Sequence, residues 1–360
     1  MRTLLRPTGF VDSPFGHDGK VARLAGGLNW FAAVELIHVE GHQRTSTELV
    51  PVDGIEARFD DALKAQWKAL TAVRPALQLA SRIVRLDQPQ VMAIVNATPD
   101  SFSDGGQYAD AAAAAEAGAR MSAEGAAIID VGGESTRPGA RSIWEGDEIE
   151  RVVPVIRQLA AGGAAVSVDT RKADVMTAAV EAGAHLINDV SALTYDARSA
   201  EVAASLNVPV VLMHHQGAPE VMQDDPRYDD VLVEVYFWLE ERIAVAVEAG
   251  VSREHILIDP GFGFGKNVAH NLELMNGLAL FHSLGCPLVV GPSRKRTIGA
   301  LSGEAPADRR IGGSIAFALK AAEQGAQIVR VHDVFETVQA LRIWRGMRDQ
   351  ALTPRAYKQP

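Results

Sequence analysis

From Val91 onward, short apolar runs alternate with longer amphipathic windows, and each run closes on polar or charged residues. The runs are 91–96, closing on Asn96; 127–137, with Thr136 and Arg137; 165–170, with Asp169; and 185–190, with Asn188. They continue as 208–215, with Met213; 255–266, with Asp259 and Lys266; 287–295, with Ser293 and Lys295; and 327–333, with Arg330 and His332. The windows between them predict helices over 110–124, 145–161, 172–182, 229–249, 268–284, 308–324 and 334–348, and a short one over 197–206. Gly125, Gly183, Gly250 and Gly325 stand just past four of these, where a left-handed residue stops a helix. Strand–helix alternation over 89–350 matches the roughly 250 residues of a (β/α)8 TIM barrel, an α/β fold that carries reactive groups at the C-terminal ends of its strands. A doubly wound open sheet would also alternate, but it would gather ligand groups near one switch point.

Residues 1–88 lack this pattern and are expected to form an N-terminal accessory segment, with 351–360 as a tail. Pro7, Gly9, Pro14, Gly16 and Gly19 predict an irregular start; 27–39 could supply a strand. Leu63, Trp67, Leu70, Val73, Leu77 and Leu79 predict a helix within 60–86. No chemistry is visible there, so the segment should pack against the barrel or cap one end.

Composition narrows the classes. The 360 residues are 47% hydrophobic, enough for a large core without disulfides. The one cysteine, Cys286, excludes an internal disulfide and fits a reducing, cytoplasmic setting. A net charge of −10 disfavours nucleic-acid and anionic-membrane partners. No apolar stretch approaches the roughly 20 residues of a membrane span, and the start lacks a secretory apolar region.

The polar segments suggest a ligand. Residues 96–106 make a long polar loop after the first run, suited to a lid, and the Asn96 carboxamide could ligate Mg²⁺. Gly132 and Gly133 permit close backbone approach, and Arg137 offers a planar guanidinium to phosphate. Asp169, Asn188 and Asp259 could each be a cap or turn residue. Together on one mouth they suit a heterocycle whose edge alternates donors and acceptors. Residues 261–266 alternate glycine and aromatic without Walker A spacing. Arg330 and His332, two apart, point to the same side, and a bound anion is expected to balance them.

At these residues the chain resembles the dihydropteroate synthases, the folate-pathway enzymes targeted by sulfonamides. The resemblance spans about 89–350 and rests on seven motifs in the family's order: NxTPDSFSDGG, GGESTRPGA, VDT, IND, DPGFGFGK, SRK and RVHD. It implies a transferase that condenses 6-hydroxymethyl-7,8-dihydropterin diphosphate with p-aminobenzoate, giving 7,8-dihydropteroate and pyrophosphate. By the resemblance, Asp169, Asn188, Asp259 and Lys295 hold the pterin, with Met213 and Phe264 lining its pocket. Asn96, Thr136, Arg330 and His332 hold the diphosphate, with Mg²⁺ on Asn96. Thr136, Arg137, Pro138, Ser293 and Lys295 shape the p-aminobenzoate site with Phe102. Asp259, Lys295 and Arg330 are the expected catalytic groups, and a homodimer is implied. The chain departs from the family pattern at Ala97, at His214-His215 and at Arg296-Thr297, where a frequent serine is replaced. A paralogue with only a binding role and a corrinoid-type pterin methyltransferase are the competing functions; neither class needs all these motifs together.

Overall fold

The computed structural model describes residues 2–97, 107–135, 142–217 and 222–353. Before the barrel come β1 (Arg2–Val11), β2 (Ala22–Arg23), β3 (Trp30–Glu40), β4 (Gln43–Pro51), α1 (Asp61–Thr71), β5 (Leu77–Leu79) and β6 (Arg82–Val84). Of the expected irregular start, residues 12–21 with Pro14, Gly16 and Gly19 form no strand or helix, but Arg2–Val11 is β1, which pairs antiparallel with β3 and places Pro7 opposite Val34. No described strand pairs with the other edge of β1, and on an edge proline's missing N–H is tolerated. The other side of β3 carries β2 and β4, and this sheet shares a core of Leu5, Phe31, Leu36 and Ile55 with Leu63 and Leu70 of α1.

The helix expected over 60–86 stops at Thr71. Pro75 disfavours helical geometry at Arg74, and Leu77 and Leu79 alternate at strand spacing in a β5–β6 hairpin. Those two leucines had been read at helical spacing; their partner is the barrel, not α1.

The barrel strands are β7 (Gln90–Asn96), β8 (Ile128–Gly132), β9 (Val166–Asp169), β10 (Leu186–Asp189), β11 (Val210–Met213), β12 (Ile256–Asp259), β13 (Val289–Val290) and β14 (Ile328–Val331). Among the described residues they form one sheet in the order β12-β11-β10-β9-β8-β7-β14-β13, and every pair is parallel. A parallel bridge between Ile258 and Leu288 joins its two ends. The helices between them are α2 (Gln107–Glu124), α3 (Glu145–Ala161), α4 (Ala173–Glu181), α5 (Ser199–Leu206), α6 (Val231–Glu248), α7 (Val268–Gly277), α8 (Arg296–Leu301), α9 (Ile311–Glu323) and α10 (Val334–Leu352). The window 268–284 splits into α7 and a buried 3-10 turn, Leu278–Leu284.

Side chains alternate across each strand, so every second residue faces the barrel axis. The first inward residues, from Met92 and Ile128 to Leu257 and Ile328, pack with Leu77, Leu79, Val84 and Leu86. The β5–β6 hairpin therefore closes the lower end. Two residues further along the same strands stand Asp130, Ser167, Asn188, Met213, Asp259 and Arg330, and above them Asn96, Asp169 and His332. Apolar packing below and polar groups above give the barrel one polar mouth.

Candidate active site

Arg330 is the hub of the interior. Its Nε donates to Asp130 Oδ2 at 2.6 Å and its Nη2 to Asp169 Oδ2 at 2.5 Å. Asn188 Nδ2 donates to the same Asp130 oxygen at 3.0 Å. The expectation that a bound anion balances Arg330 needs correction, because two carboxylates of the chain already do so. Burial pushes the Asp169 carboxyl up, against the pull of Arg330 and with the charge of Asp130 adding to the rise. Asp130 Oδ1 and Asp169 Oδ1 are buried acceptors with no hydrogen-bond partner among the described residues. Asp130 was not singled out from the sequence. It sits inside its apolar run rather than at the end; a carboxylate in mid-run was the available signal.

Asp259 ends β12 beside Met213, its ladder partner on β11. Its Oδ1 accepts the Gly261 amide at 2.7 Å, so it does shape a turn. Burial pushes its carboxyl up to about 6, with the Gly261 amide and Lys295 opposing. Gly261 has φ +71°, and a Cβ there would lie 1.7 Å from the His214 carbonyl oxygen. That close approach needs glycine.

The same loop folds over Lys266, which lies 2% exposed. Its Nζ donates to the carbonyls of Gly261 and Phe264, each at 3.0 Å, and meets His214 Nδ1 at 2.8 Å. Three acceptors match the three N–H bonds of an ammonium. Burial brings Lys266 down to about 7 against the pull of Asp259, and burial followed by Lys266 holds His214 well below the usual histidine range. His215, the neighbour of His214, meets the Gly217 carbonyl instead. The braced loop presents Phe264, whose ring lies 4.1 Å from Lys295 Nζ. Lys266 had been noted only as a run end.

On the opposite side Ser293 Oγ accepts the His332 amide at 3.2 Å and lies 3.1 Å from His332 Nδ1. The hydroxyl keeps a second lone pair as well as its proton, so it orients the His332 ring by pairing with Nδ1 in either tautomer. Burial, then Arg330, Arg294 and Lys295, bring His332 down to about 3. At neutral pH the ring is neutral, not the second cation the sequence suggested. Asn96 is half-buried at the end of β7, pairing with Gly132. Phe102, Thr136, Arg137 and Pro138 lie outside the described residues, as does most of the expected lid.

Glu134, in the second motif, had been given no role. Its carboxylate meets Arg171 at 2.8 Å, Lys172 at 2.6 Å and the Ile143 amide at 3.0 Å, and Lys172 also meets Glu148 at 2.6 Å. Burial opposes its charge, but Lys172, the Ile143 amide and Arg171 hold the carboxyl below its usual range.

Fold and site define a parallel barrel protein whose single mouth holds buried carboxylates, a carboxamide and cations facing one another. Residues 92–332 match the family model described as pterin binding enzyme. The dihydropteroate synthase of Escherichia coli (strain K12) is 49% identical over 259 residues, which cover 72% of this chain and 91% of that relative. A Xanthomonas albilineans dihydropteroate synthase structure with 4-aminobenzoic acid superposes with a TM-score of 0.73 at 49% identity, covering 78% of this chain and 100% of that one. A second, in complex with 7,8-dihydropteroate, gives 0.69 at 46% identity over 78% and 100%. The chain belongs to the pterin binding enzyme family, among its dihydropteroate synthases.

Proposed function

We propose that this chain joins 6-hydroxymethyl-7,8-dihydropterin diphosphate to p-aminobenzoate, releasing pyrophosphate. The observation that carries this reading is the interior cluster of Asp130, Asp169, Asn188 and Asp259, with two buried carboxylate oxygens that no described group satisfies. A buried acceptor without a donor costs about 1–3 kcal/mol, and the N–H edge of a pterin supplies donors.

The pterin methylene C–O bond breaks with its electrons going to pyrophosphate. The p-aminobenzoate nitrogen then bonds to that carbon and loses a proton. In this reading Asp169, Asn188 and Asp259 hold the pterin, Met213 and Phe264 line it, and the nearby carboxylates offset its developing positive charge. Lys295 and the His332 ring face the leaving diphosphate, and Arg330, held by Asp130 and Asp169, adds its positive field behind them, a placement that stabilises charge as it forms. Ser293 orients the His332 ring. Thr136, Arg137, Pro138 and Phe102 are assigned to p-aminobenzoate by the resemblance alone.

The donor set fits Mg²⁺ arriving with the diphosphate. Asn96 supplies one hard oxygen at a strand end, and no group of three His, Cys, Asp or Glu that could hold a metal occurs among the described residues. Mg²⁺ commonly keeps waters and takes phosphate oxygens as ligands, so one protein oxygen suffices. When bound it would neutralise phosphate charge. Exposed Phe335, Ile343 and Met347 on α10 support a homodimer. Buried Cys286 is consistent with a reducing, cytoplasmic setting.

The test is pyrophosphate release by the full chain with Mg²⁺ and the pterin diphosphate, with and without p-aminobenzoate. Release coupled one-to-one to dihydropteroate, and only with both substrates, is expected. Methyl transfer, or pterin binding without pyrophosphate release, would replace the reading.

A further inference from the structure

The N-terminal sheet contributes no group to the interior cluster, yet it reaches the N-terminus of α6, next to residues that contact the pterin-side loop. Arg44, on β4, donates from Nε to Asp230 Oδ2 at 2.7 Å and from Nη2 to Oδ1 at 3.3 Å. The pair is largely buried, with side-chain exposures of 27% and 12%. Asp230 is the N-cap of α6 and also accepts the Val233 amide at 3.1 Å. Two residues earlier, the Tyr228 hydroxyl donates to the Gly265 carbonyl at 2.9 Å. The Tyr228 ring packs edge-on against His270, with centroids 4.9 Å apart, and lies 6.0 Å from Lys266 Nζ. The segment before α6 makes a second contact with the loop, Gln223 Nε2 to the Gly263 carbonyl at 2.6 Å. Both contacts hold the stretch that sets Phe264 against Lys295.

We infer that Arg44 is a positioning residue for the pterin site, acting through Asp230 and Tyr228 on the loop 261–266 from outside the region shared with the family. The inference rests on the function proposed above. Helix α6 is also held further along, where Arg2 pairs with Glu240 and lies 4.9 Å from the centre of the Phe237 ring. That contact supports the helix but lies away from Tyr228, so it separates loop positioning from general support.

The test compares Arg44→Gln, Arg44→Lys and Arg2→Gln in the full chain. A partly buried ion pair worth about 1 kcal/mol corresponds to roughly a fivefold change. Arg44→Gln should raise KM for the pterin diphosphate about fivefold. KM for p-aminobenzoate should stay within about twofold, as should both constants in Arg2→Gln. Arg44→Lys should recover most of the loss. Hydrogen exchange at the Gly263 and Phe264 amides, which donate to Asn271 and to the Gly261 carbonyl, should quicken in Arg44→Gln and not in Arg2→Gln. Unchanged exchange and unchanged KM in Arg44→Gln overturn the inference, and so does equal loss in Arg2→Gln. If the parent chain neither binds the pterin diphosphate nor releases pyrophosphate, the proposed function falls, and the exchange comparison alone still decides for or against Arg44.

Discussion

Asp259 shows how one side chain serves both fold and chemistry, and its two parts can be separated. Asparagine keeps an oxygen for the Gly261 amide but loses the charge, so Asp259→Asn should fold. Its carboxyl rises from the ordinary 3.8 to about 6 in the folded chain. The folded state therefore binds the proton more readily than the unfolded state, and stability falls as pH rises through that window. Above pH 6 the whole penalty is present, up to about 3 kcal/mol. Asp259→Asn should thus be more stable than the parent in urea unfolding at pH 8, with the gap closing toward pH 4. Its turnover should fall about 10- to 100-fold through a lost charge-assisted bond. Loss of stability with a normal rate would reduce Asp259 to a turn residue. At this scale the strand-end groups were legible because their runs end where side chains alternate inward. Asp130 was hidden inside a run. The brace by Lys266 was hidden because it is built from backbone carbonyls, which spacing does not reveal.

Elements were legible where one periodicity ruled. Most barrel helices followed their windows to within a few residues, since each has one face on the strands and one on solvent, but the window 268–284 ended at Gly277 as α-helix and α8 fell in no window. The segment 60–86 misled because the leucines of a helix and of a hairpin fell in apparent register, and only the proline between them marked the change. The hairpin is structural to the barrel. Leu79 is fully buried beneath the strands. Leu79→Ala should cost about 2–5 kcal/mol through the cavity it leaves. KM for both substrates in the folded fraction should hardly move, because the polar layers lie above that floor. Denaturant titration with kinetics on the same preparation checks this; intact stability would mean the floor collapses around the gap.

At the scale of the molecule, the N-terminal sheet is tied to the barrel's later parts. Arg74 donates to the His282 carbonyl at 3.0 Å, Asn29 to the Ala322 carbonyl at 2.7 Å, and Arg348 to the carbonyls of Val11 and Leu28, each at 3.0 Å. A chain beginning at Pro75 keeps the hairpin floor but uncovers the apolar turn Leu278–Leu284 and the face of α6. It should melt lower and associate more readily, while any soluble fraction still needs both substrates for pyrophosphate release. A well-folded form that binds pterin diphosphate yet makes no dihydropteroate would place a reacting group in the sheet.

These ties also set an order of events during synthesis. The sheet over 2–51 has its own core and can form as soon as α1 has left the ribosome. Its docking sites on 278–284, Ala322 and Arg348 are made only near the end of translation. The hairpin floor needs the inward residues of strands as late as β14. The part made first is therefore the part that docks last. Until then the nascent chain carries an unsatisfied apolar surface at both ends, and slowing translation near α10 should lengthen the time it depends on chaperones.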